Sequence, residues 1–134
     1  MTITRNNIAN QPHEIGERVA AFLKEGDLEG IVSLFHPDCS IYFPPDEAPK
    51  LGHAGVREVF KDFMESRPTL ISNVTQEAIN GDIAILQAQW RFEDNDGVLI
   101  AEGSSTEIAK KLPNGGWGYF IDCPLGVPPL SSDT

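Results

Sequence analysis

Residues 25–63 read EGDLEGIVSLFHPDCSIYFPPDEAPKLGHAGVREVFKDF, and the helix and strand boundaries within them decide the fold. Gly26 is suited to end one helix, because glycine adopts the left-handed angles of a helix C-terminus. Asp27 can cap the next helix, since its carboxylate accepts hydrogen bonds from free backbone N–H groups. Pro37 is expected to stop that helix, and residues 39–43 then alternate as a short strand that ends at two prolines.

Three helices are predicted in the first half of the chain. Residues 13–24 carry apolar side chains at helical spacing, so one face of the first helix is expected to be buried. The third helix starts after Gly52 and is expected to end before Pro68, because a residue that precedes proline avoids helical angles. The second helix has a broad apolar face, formed by Leu28, Ile31, Val32, Leu34 and Phe35.

The second half of the chain has the pattern of long strands joined by tight turns. Each turn contains glycine together with asparagine or aspartate, residues that accept the positive φ angles of hairpin turns. Consecutive hairpins of this kind predict an antiparallel meander, with strands over residues 69–79, 83–93, 98–112 and 117–123.

Helices followed by a bent meander predict an α+β fold, in which three N-terminal helices pack on one face of a curved antiparallel sheet. Such a sheet, closed at one end by helices, forms a cone whose cavity is the default binding site. The expected domain spans residues 13–125, with a flexible arm at 1–12 and a flexible, proline-containing tail at 126–134.

The charge balance argues against several classes of partner. Twenty acidic against ten basic residues give a net charge of −10, which is unfavourable for binding nucleic acid or an anionic membrane. The N-terminus lacks a signal-peptide pattern and no apolar run has the length of a membrane span, so a cytoplasmic protein is expected. The two cysteines and three histidines are too dispersed for a metal site, and no phosphate-binding loop is present, so neither metal nor organic cofactor is expected.

Several segments carry a family likeness. Gly26–Val32, the Phe43–Pro44 strand end and the start of the third helix at Gly52 resemble the bacterial ketosteroid isomerases. They equally resemble the wider nuclear-transport-factor-2-like superfamily, which includes SnoaL-like polyketide cyclases. The hairpin from Gly103 to Asp122 extends the resemblance, which covers roughly residues 13–125. It implies a cystatin-like cone, but this fold hosts isomerases, cyclases, dehydratases, binding proteins and assembly domains.

The resemblance also implies where an isomerase would keep its catalytic groups, and this chain departs from that pattern. The base would stand just before the proline that ends the first strand, where this chain has Phe43. The tyrosine donor would lie on the first helix, where this chain has Val19. The protonated acid would fall near Thr106, or on Glu107 if the register slips by one residue. A true ketosteroid isomerase is therefore not expected.

The resemblance further assigns the strand faces. The residues expected to point into the cone are Cys39, Ile41, Phe43, Leu86, Ala88, Trp90, Phe92, Ser104, Thr106, Ile108, Tyr119, Ile121 and Cys123. The residues expected to point outward, where related proteins form dimers, are Tyr42, Gln87, Gln89, Arg91, Glu107 and Asp122. A homodimer through the outer sheet face is therefore expected.

Four residues are candidates for acid–base chemistry. Tyr119 is the best inward polar group, since a phenol can donate a hydrogen bond in an apolar pocket; a core tyrosine bonded to a backbone carbonyl is the alternative. Thr106 could orient a ligand oxygen. Asp38 could act as a base at the rim, or serve only a turn or a helix cap. Asp122 is expected to face outward unless a bulge near Pro124 turns it inward.

An apolar wall is expected around the cavity, formed by Val19, Phe22, Phe35, Phe43, Phe60, Phe63, Trp90 and Cys123. Such a wall favours a flat or cyclic hydrophobic molecule with one or two oxygens. The first hypothesis is therefore a SnoaL-like enzyme of isomerase, cyclase or dehydratase type that uses acid–base chemistry. The alternatives are a non-catalytic protein that binds a hydrophobic ligand in the same pocket, and a dimeric assembly domain whose pocket is only core.

Overall fold

The structure is a computed structural model that describes residues 8–130. The predicted arm before residue 8 and the predicted tail after residue 130 lie outside the described residues. The elements, in chain order, are a 3₁₀ turn (Pro12–Glu14), α1 (Ile15–Glu25), α2 (Leu28–Val32), β1 (Phe35–Ile41), β2 (Lys50–Leu51), α3 (Gly52–Phe60), α4 (Phe63–Ser66), β3 (Thr69–Asn80), β4 (Ile83–Glu93), β5 (Leu99–Lys111) and β6 (Trp117–Cys123).

The six strands form one sheet in the order β2-β1-β6-β5-β4-β3. Neighbouring strands are antiparallel except for β1 and β6, which run parallel. Helix α1 packs on β3 and helix α3 packs on β1, so the helices cover the inner face of the sheet. The predicted α+β fold, a curved sheet wrapped around N-terminal helices, is confirmed.

Local residue chemistry explains the boundaries of the helices. Gly26 ends α1 with a φ of 71°, in the left-handed region. The Asp27 carboxylate accepts a hydrogen bond from the Gly30 N–H at 2.9 Å, so it caps α2 as predicted. The third predicted helix is divided into α3 and α4 by a two-residue turn. Arg67, at a φ of 46°, ends α4 ahead of Pro68.

The start of β1 differs from the prediction. The sequence pattern places Phe35 in the second helix, but Phe35 is the first residue of β1 and pairs with Tyr119 of β6. The Tyr119 N–H also donates to the Leu34 carbonyl at 3.0 Å. The register between β1 and β6 shifts after Phe35, and Pro37 lies in that irregular stretch. A proline is tolerated there because an irregular stretch does not require its missing N–H.

The core fills the space between the helices and the inner sheet face. Its most buried large side chains include Ile15, Leu23, Ile31, Phe35, Val56 and Leu86. Ala9 is also fully buried, and its carbonyl accepts from the Trp117 N–H at 2.9 Å. The part of the predicted arm that follows residue 7 is therefore attached to the sheet.

Candidate active site

An apolar cavity of about 160 Å³ lies between the helices and the inner face of the sheet. Six of the eight residues predicted for its wall line it, namely Val19, Phe35, Phe43, Phe60, Phe63 and Trp90. The other two lie elsewhere. Phe22 packs against Gly30 of α2, and Cys123 is buried outside the cavity lining.

The aromatic wall is a continuous set of ring contacts. The Phe35 ring centroid lies 5.4 Å from that of Tyr119 and 6.1 Å from that of Phe60. Phe63 extends the wall, with its centroid 6.3 Å from that of Phe60 and 5.1 Å from that of Phe92. Tilted and edge-on contacts at these distances stabilise the rings against each other. The cavity therefore presents a preformed apolar surface.

Trp90 contributes its ring to this wall but not its N–H group. The indole N–H donates to the Pro124 carbonyl at 2.8 Å, which attaches the segment after β6 to strand β4. Because this donor is already paired, a ligand in the cavity meets only the indole ring.

The inner face of β5 carries Glu107, so the predicted strand phase is wrong. Cross-strand partners share one face of a sheet, and Glu107 pairs with Leu86, which is 1% exposed. Thr106 pairs with Gln87 on the outer face, where the Thr106 hydroxyl accepts from the Gln87 amide at 3.4 Å. The buried residues of this stretch are Ser105, Glu107 and Ala109, instead of the expected Ser104, Thr106 and Ile108.

Two extra residues explain these changes of face. In β5, the two residues that pair with Phe92 and Glu93 of β4 are separated by one extra residue, Ile100. This bulge reverses which side chains point inward and which point outward along the rest of β5. In β6, Phe120 lies between the residues that pair with Ala109 and Ile108. Because of this second bulge, Tyr119 and Asp122 both line the cavity, although they are three positions apart. Asp122 therefore faces inward and Ile121 outward, both opposite to the prediction.

Glu107 and Asp122 form a pair of neighbouring carboxyl side chains. They are direct partners across β5 and β6, and both line the cavity. Burial raises the pKa of Glu107 to about 7, and a hydrogen bond from the Ser105 hydroxyl opposes this shift. Burial likewise raises the pKa of Asp122 well above its usual range, and the charge of Glu107 raises it further. Both shifts favour the protonated form, so the pair keeps its protons to higher pH than free carboxyl groups do and titrates as one coupled unit.

Tyr119 adds a hydroxyl group to the polar part of the wall. Burial, followed by the charges of Glu107 and Asp122, raises the pKa of Tyr119 well above its usual range. The phenol therefore stays protonated and can donate a hydrogen bond. Helix α1 passes close to it at Gly16, where a Cβ would lie 3.6 Å from the Tyr119 hydroxyl and 2.8 Å from Ser72 Oγ. A glycine at this position keeps the space beside the hydroxyl open.

Asp38 lies outside the cavity. It is exposed on the irregular part of β1, and its backbone N–H donates to His36 Nδ1 at 3.0 Å. Its side chain does not line the cavity. Among the four catalytic candidates, the structure thus brings Tyr119 and Asp122 together and leaves Asp38 and Thr106 outside.

Sequence reasoning did not select Glu107 as a main candidate. The signal for it in the sequence is weak: Glu107 stands between Ser105 and Ala109, two small residues that suit a buried strand face. Its inward direction depends on the bulge at Ile100, and no residue type marks that bulge.

The two cysteine thiols, Cys39 and Cys123, are not activated as nucleophiles. Burial, and then the charge of Asp122, raises the pKa of Cys39 to about 11, and the same causes raise the pKa of Cys123. Both thiols therefore stay protonated and weakly nucleophilic.

Within residues 8–130, no three metal-ligating side chains come close enough to hold an ion. No helix in the same range is long and apolar enough to cross a membrane.

Solved structures share this fold at low sequence identity. A protein of unknown function from Mycobacterium tuberculosis superposes with a TM-score of 0.73 at 19% identity, covering 90% of this chain and 76% of its own. A protein from Novosphingobium aromaticivorans, provisionally named a scytalone dehydratase, gives 0.69 at 12% identity, with 83% and 78% covered. A nuclear-transport-factor-2-like protein of unknown function from Shewanella oneidensis gives 0.65 at 13% identity, with 83% and 93% covered.

The family of the chain follows from a match of its sequence to a family profile. No curated protein matches the sequence significantly. The profile of the SnoaL-like domain family, however, matches residues 17–115, a span from within α1 through the end of β5 that includes Glu107. Tyr119 and Asp122 lie just beyond the matched span. The chain belongs to the SnoaL-like domain family, and its fold is that of the nuclear-transport-factor-2-like superfamily.

Proposed function

We propose that this protein is an acid–base enzyme that acts on a hydrophobic cyclic small molecule. The observation that carries the proposal is the position of Glu107 and Asp122, which lie side by side on the inner sheet face in an otherwise largely apolar cavity. Carboxyl groups whose pKa values are raised by burial towards neutrality are suited to proton transfer at physiological pH. Membership of the SnoaL-like family supports a small molecule as the substrate.

The acid pair can move a proton between two atoms of a cyclic ketone. The ionised carboxylate removes a proton from the carbon next to the carbonyl, and the electrons of that C–H bond move towards the carbonyl oxygen. The protonated carboxyl group, with the Tyr119 hydroxyl as a second donor, stabilises the charge on that oxygen. In a ketone that has a carbon–carbon double bond between its β and γ carbons, return of the proton to the γ carbon moves that double bond into conjugation and completes an isomerisation. Departure of a neighbouring hydroxyl group together with that proton, as water, completes a dehydration.

This arrangement differs from the one that the resemblance to ketosteroid isomerases implies. Val19 and Phe43, at the positions where that enzyme would keep its tyrosine and its base, both line the cavity and cannot move a proton. We therefore assign the acid–base role to residues of β5 and β6. One structural neighbour is provisionally named a scytalone dehydratase, and loss of water also requires an acid and a base.

Exchange of hydrogen for deuterium tests this function directly. Cyclic ketones that raise the melting temperature of the protein are first selected, since a ligand that binds only the folded state stabilises it. The protein is then expected to speed deuterium uptake next to the carbonyl in D2O, as measured by NMR of the recovered ketone. An unrelated acidic protein at the same concentration is the control. A ligand that stabilises the protein but exchanges at the buffer rate would contradict catalysis and support the binding-protein alternative.

We also propose that the protein is a homodimer through the outer sheet face. Ile71, Ile83 and Ile85 are exposed there at 45%, 47% and 50%, and exposed apolar patches of this kind commonly form interfaces. Ile85→Lys is expected to convert the dimer to a monomer, as measured by light scattering after size-exclusion chromatography. Ala21→Lys, an equal charge change on the exposed side of α1, is expected to leave the dimer intact. A wild-type monomer at micromolar concentration would refute the proposal.

A further inference from the structure

The size of the cavity limits what it can hold. Its volume of about 160 Å³ is close to the roughly 150 Å³ of an apolar protein cavity that accommodates one benzene molecule. The rings of Phe35, Phe60 and Phe63 already pack at centroid separations of 6.1 and 6.3 Å, so no second ring fits between them. One ring with small substituents fills the available space.

The charge of the cavity lining limits the ligand further. The titratable side chains that line it are Glu107, Tyr119 and Asp122, and none of its lining residues within the described chain is Lys, Arg or His. An anionic ligand would therefore lie beside acidic groups without a compensating cation, which is unfavourable in an apolar site. A cationic ligand would have to leave water and pair with a carboxylate whose charged form burial disfavours, which is also costly. A protonated carboxyl group and a phenol are hydrogen-bond donors, and an uncharged oxygen acceptor pairs with them at no such cost.

We propose that the substrate is an uncharged molecule with a single ring, whose oxygen-bearing carbon reaches Glu107 and Asp122 on β5 and β6. This inference rests on the proposed function, because it assumes that the acid pair meets the substrate. The ring then lies against Phe60 and Phe63 on the helical side of the cavity. A small substituent can extend past Ile100, which is 53% exposed and marks the open side. Steroids and multi-ring polyketides do not fit, since most of their rings would lie in solvent.

A series of five compounds tests size and charge separately. Acetophenone has one ring and is neutral, benzoate and benzylamine are its anionic and cationic counterparts, and 1-tetralone and a four-ring 3-oxo steroid are larger neutral ketones. We expect acetophenone to bind at least roughly tenfold more tightly than each of the others, a difference of about 1.4 kcal/mol. Saturation-transfer NMR and thermal shift at neutral pH provide the measurement.

A cavity variant strengthens the test of size. Phe63→Val removes part of the aromatic wall, and we expect it to bind 1-tetralone more tightly than the wild type does. Phe22→Val is the matched control, because Phe22 packs against Gly30 of α2 and does not line the cavity. It is expected to leave the preference for one ring unchanged. A far-UV circular dichroism spectrum and a thermal melt establish that both variants are folded.

The outcomes separate this inference from the proposed function. Tighter binding of the steroid, 1-tetralone or either charged compound than of acetophenone would overturn the inference, and so would the absence of binding by all five. None of these binding measurements depends on turnover. Acetophenone that binds without deuterium exchange would leave the substrate class standing and contradict catalysis. A steroid that binds and exchanges would leave catalysis standing and overturn the substrate class.

Discussion

Asp122→Asn is expected to slow deuterium exchange into a bound cyclic ketone by about 100- to 10,000-fold, the usual loss when a general acid or base is removed. Asparagine keeps the shape of the side chain but cannot accept or deliver the proton. Glu107→Gln is expected to have a similar effect, because the proposed mechanism uses one carboxyl group as the base and the other as the acid. The double variant is therefore expected to be little slower than either single variant.

Binding and exchange are measured on the same samples, so that a loss of turnover is distinguished from a loss of affinity. Asp38→Asn is the matched control, since Asp38 is an exposed acid outside the cavity. It is expected to exchange at the wild-type rate. If Asp38→Asn greatly slowed deuterium exchange while Asp122→Asn exchanged at the wild-type rate, the role of the pair would be refuted. Asp38 would then be the base, as the sequence allowed.

The free energy of unfolding is expected to fall as the pH rises from about 4.5 to about 7, and Glu107→Gln is expected to remove much of this fall. The pKa of Glu107 rises from 4.5 to about 7 on folding, because the carboxyl group is buried. In this window the folded state keeps a proton that the unfolded state has lost, so each rise in pH favours unfolding. The raised pKa of Asp122 acts in the same direction.

Urea denaturation near pH 4, 6 and 8 measures this effect. Glu107→Gln is expected to be more stable than the wild type by on the order of 2–3 kcal/mol near pH 8 and equally stable near pH 4. Glu102→Gln, an exposed acid on the same strand, is the control and is expected to keep the wild-type pH dependence. Equal stability of Glu107→Gln and wild type near pH 8 would show that the Glu107 carboxylate is not penalised by burial.

Those parts of the fold that depend on local chemistry could be predicted from the sequence. Gly26 and Asp27 set the boundary between α1 and α2 through their own backbone angle and side-chain hydrogen bond. The turns between the long strands likewise depend on neighbouring residues. The start of β1 could not be predicted in this way, because Phe35 leaves the helical pattern in order to pair with Tyr119, which is 84 positions later in the chain.

The site was harder to predict because two single residues change which side chains face the cavity. Strict alternation along β5 and β6 places Glu107 and Asp122 on the outer face, as the sequence-based prediction did. The extra residues Ile100 and Phe120 reverse that alternation in each strand. Their residue types do not indicate a bulge, because a bulge depends on how whole strands pair. The aromatic wall was predicted more closely, since most of it comes from helix faces and strand ends.

The central position of β6 has a consequence for biosynthesis. This last of the described strands is inserted between β1 and β5 and supplies both Tyr119 and Asp122. A nascent chain that has not yet emerged as far as residue 117 leaves β1 and β5 with unpaired edges and no acid pair. Strands that are distant in sequence pair late, so nearly all of the domain must leave the ribosome before β6 can complete the sheet. Completion of the sheet and assembly of the acid pair are thus the same final event.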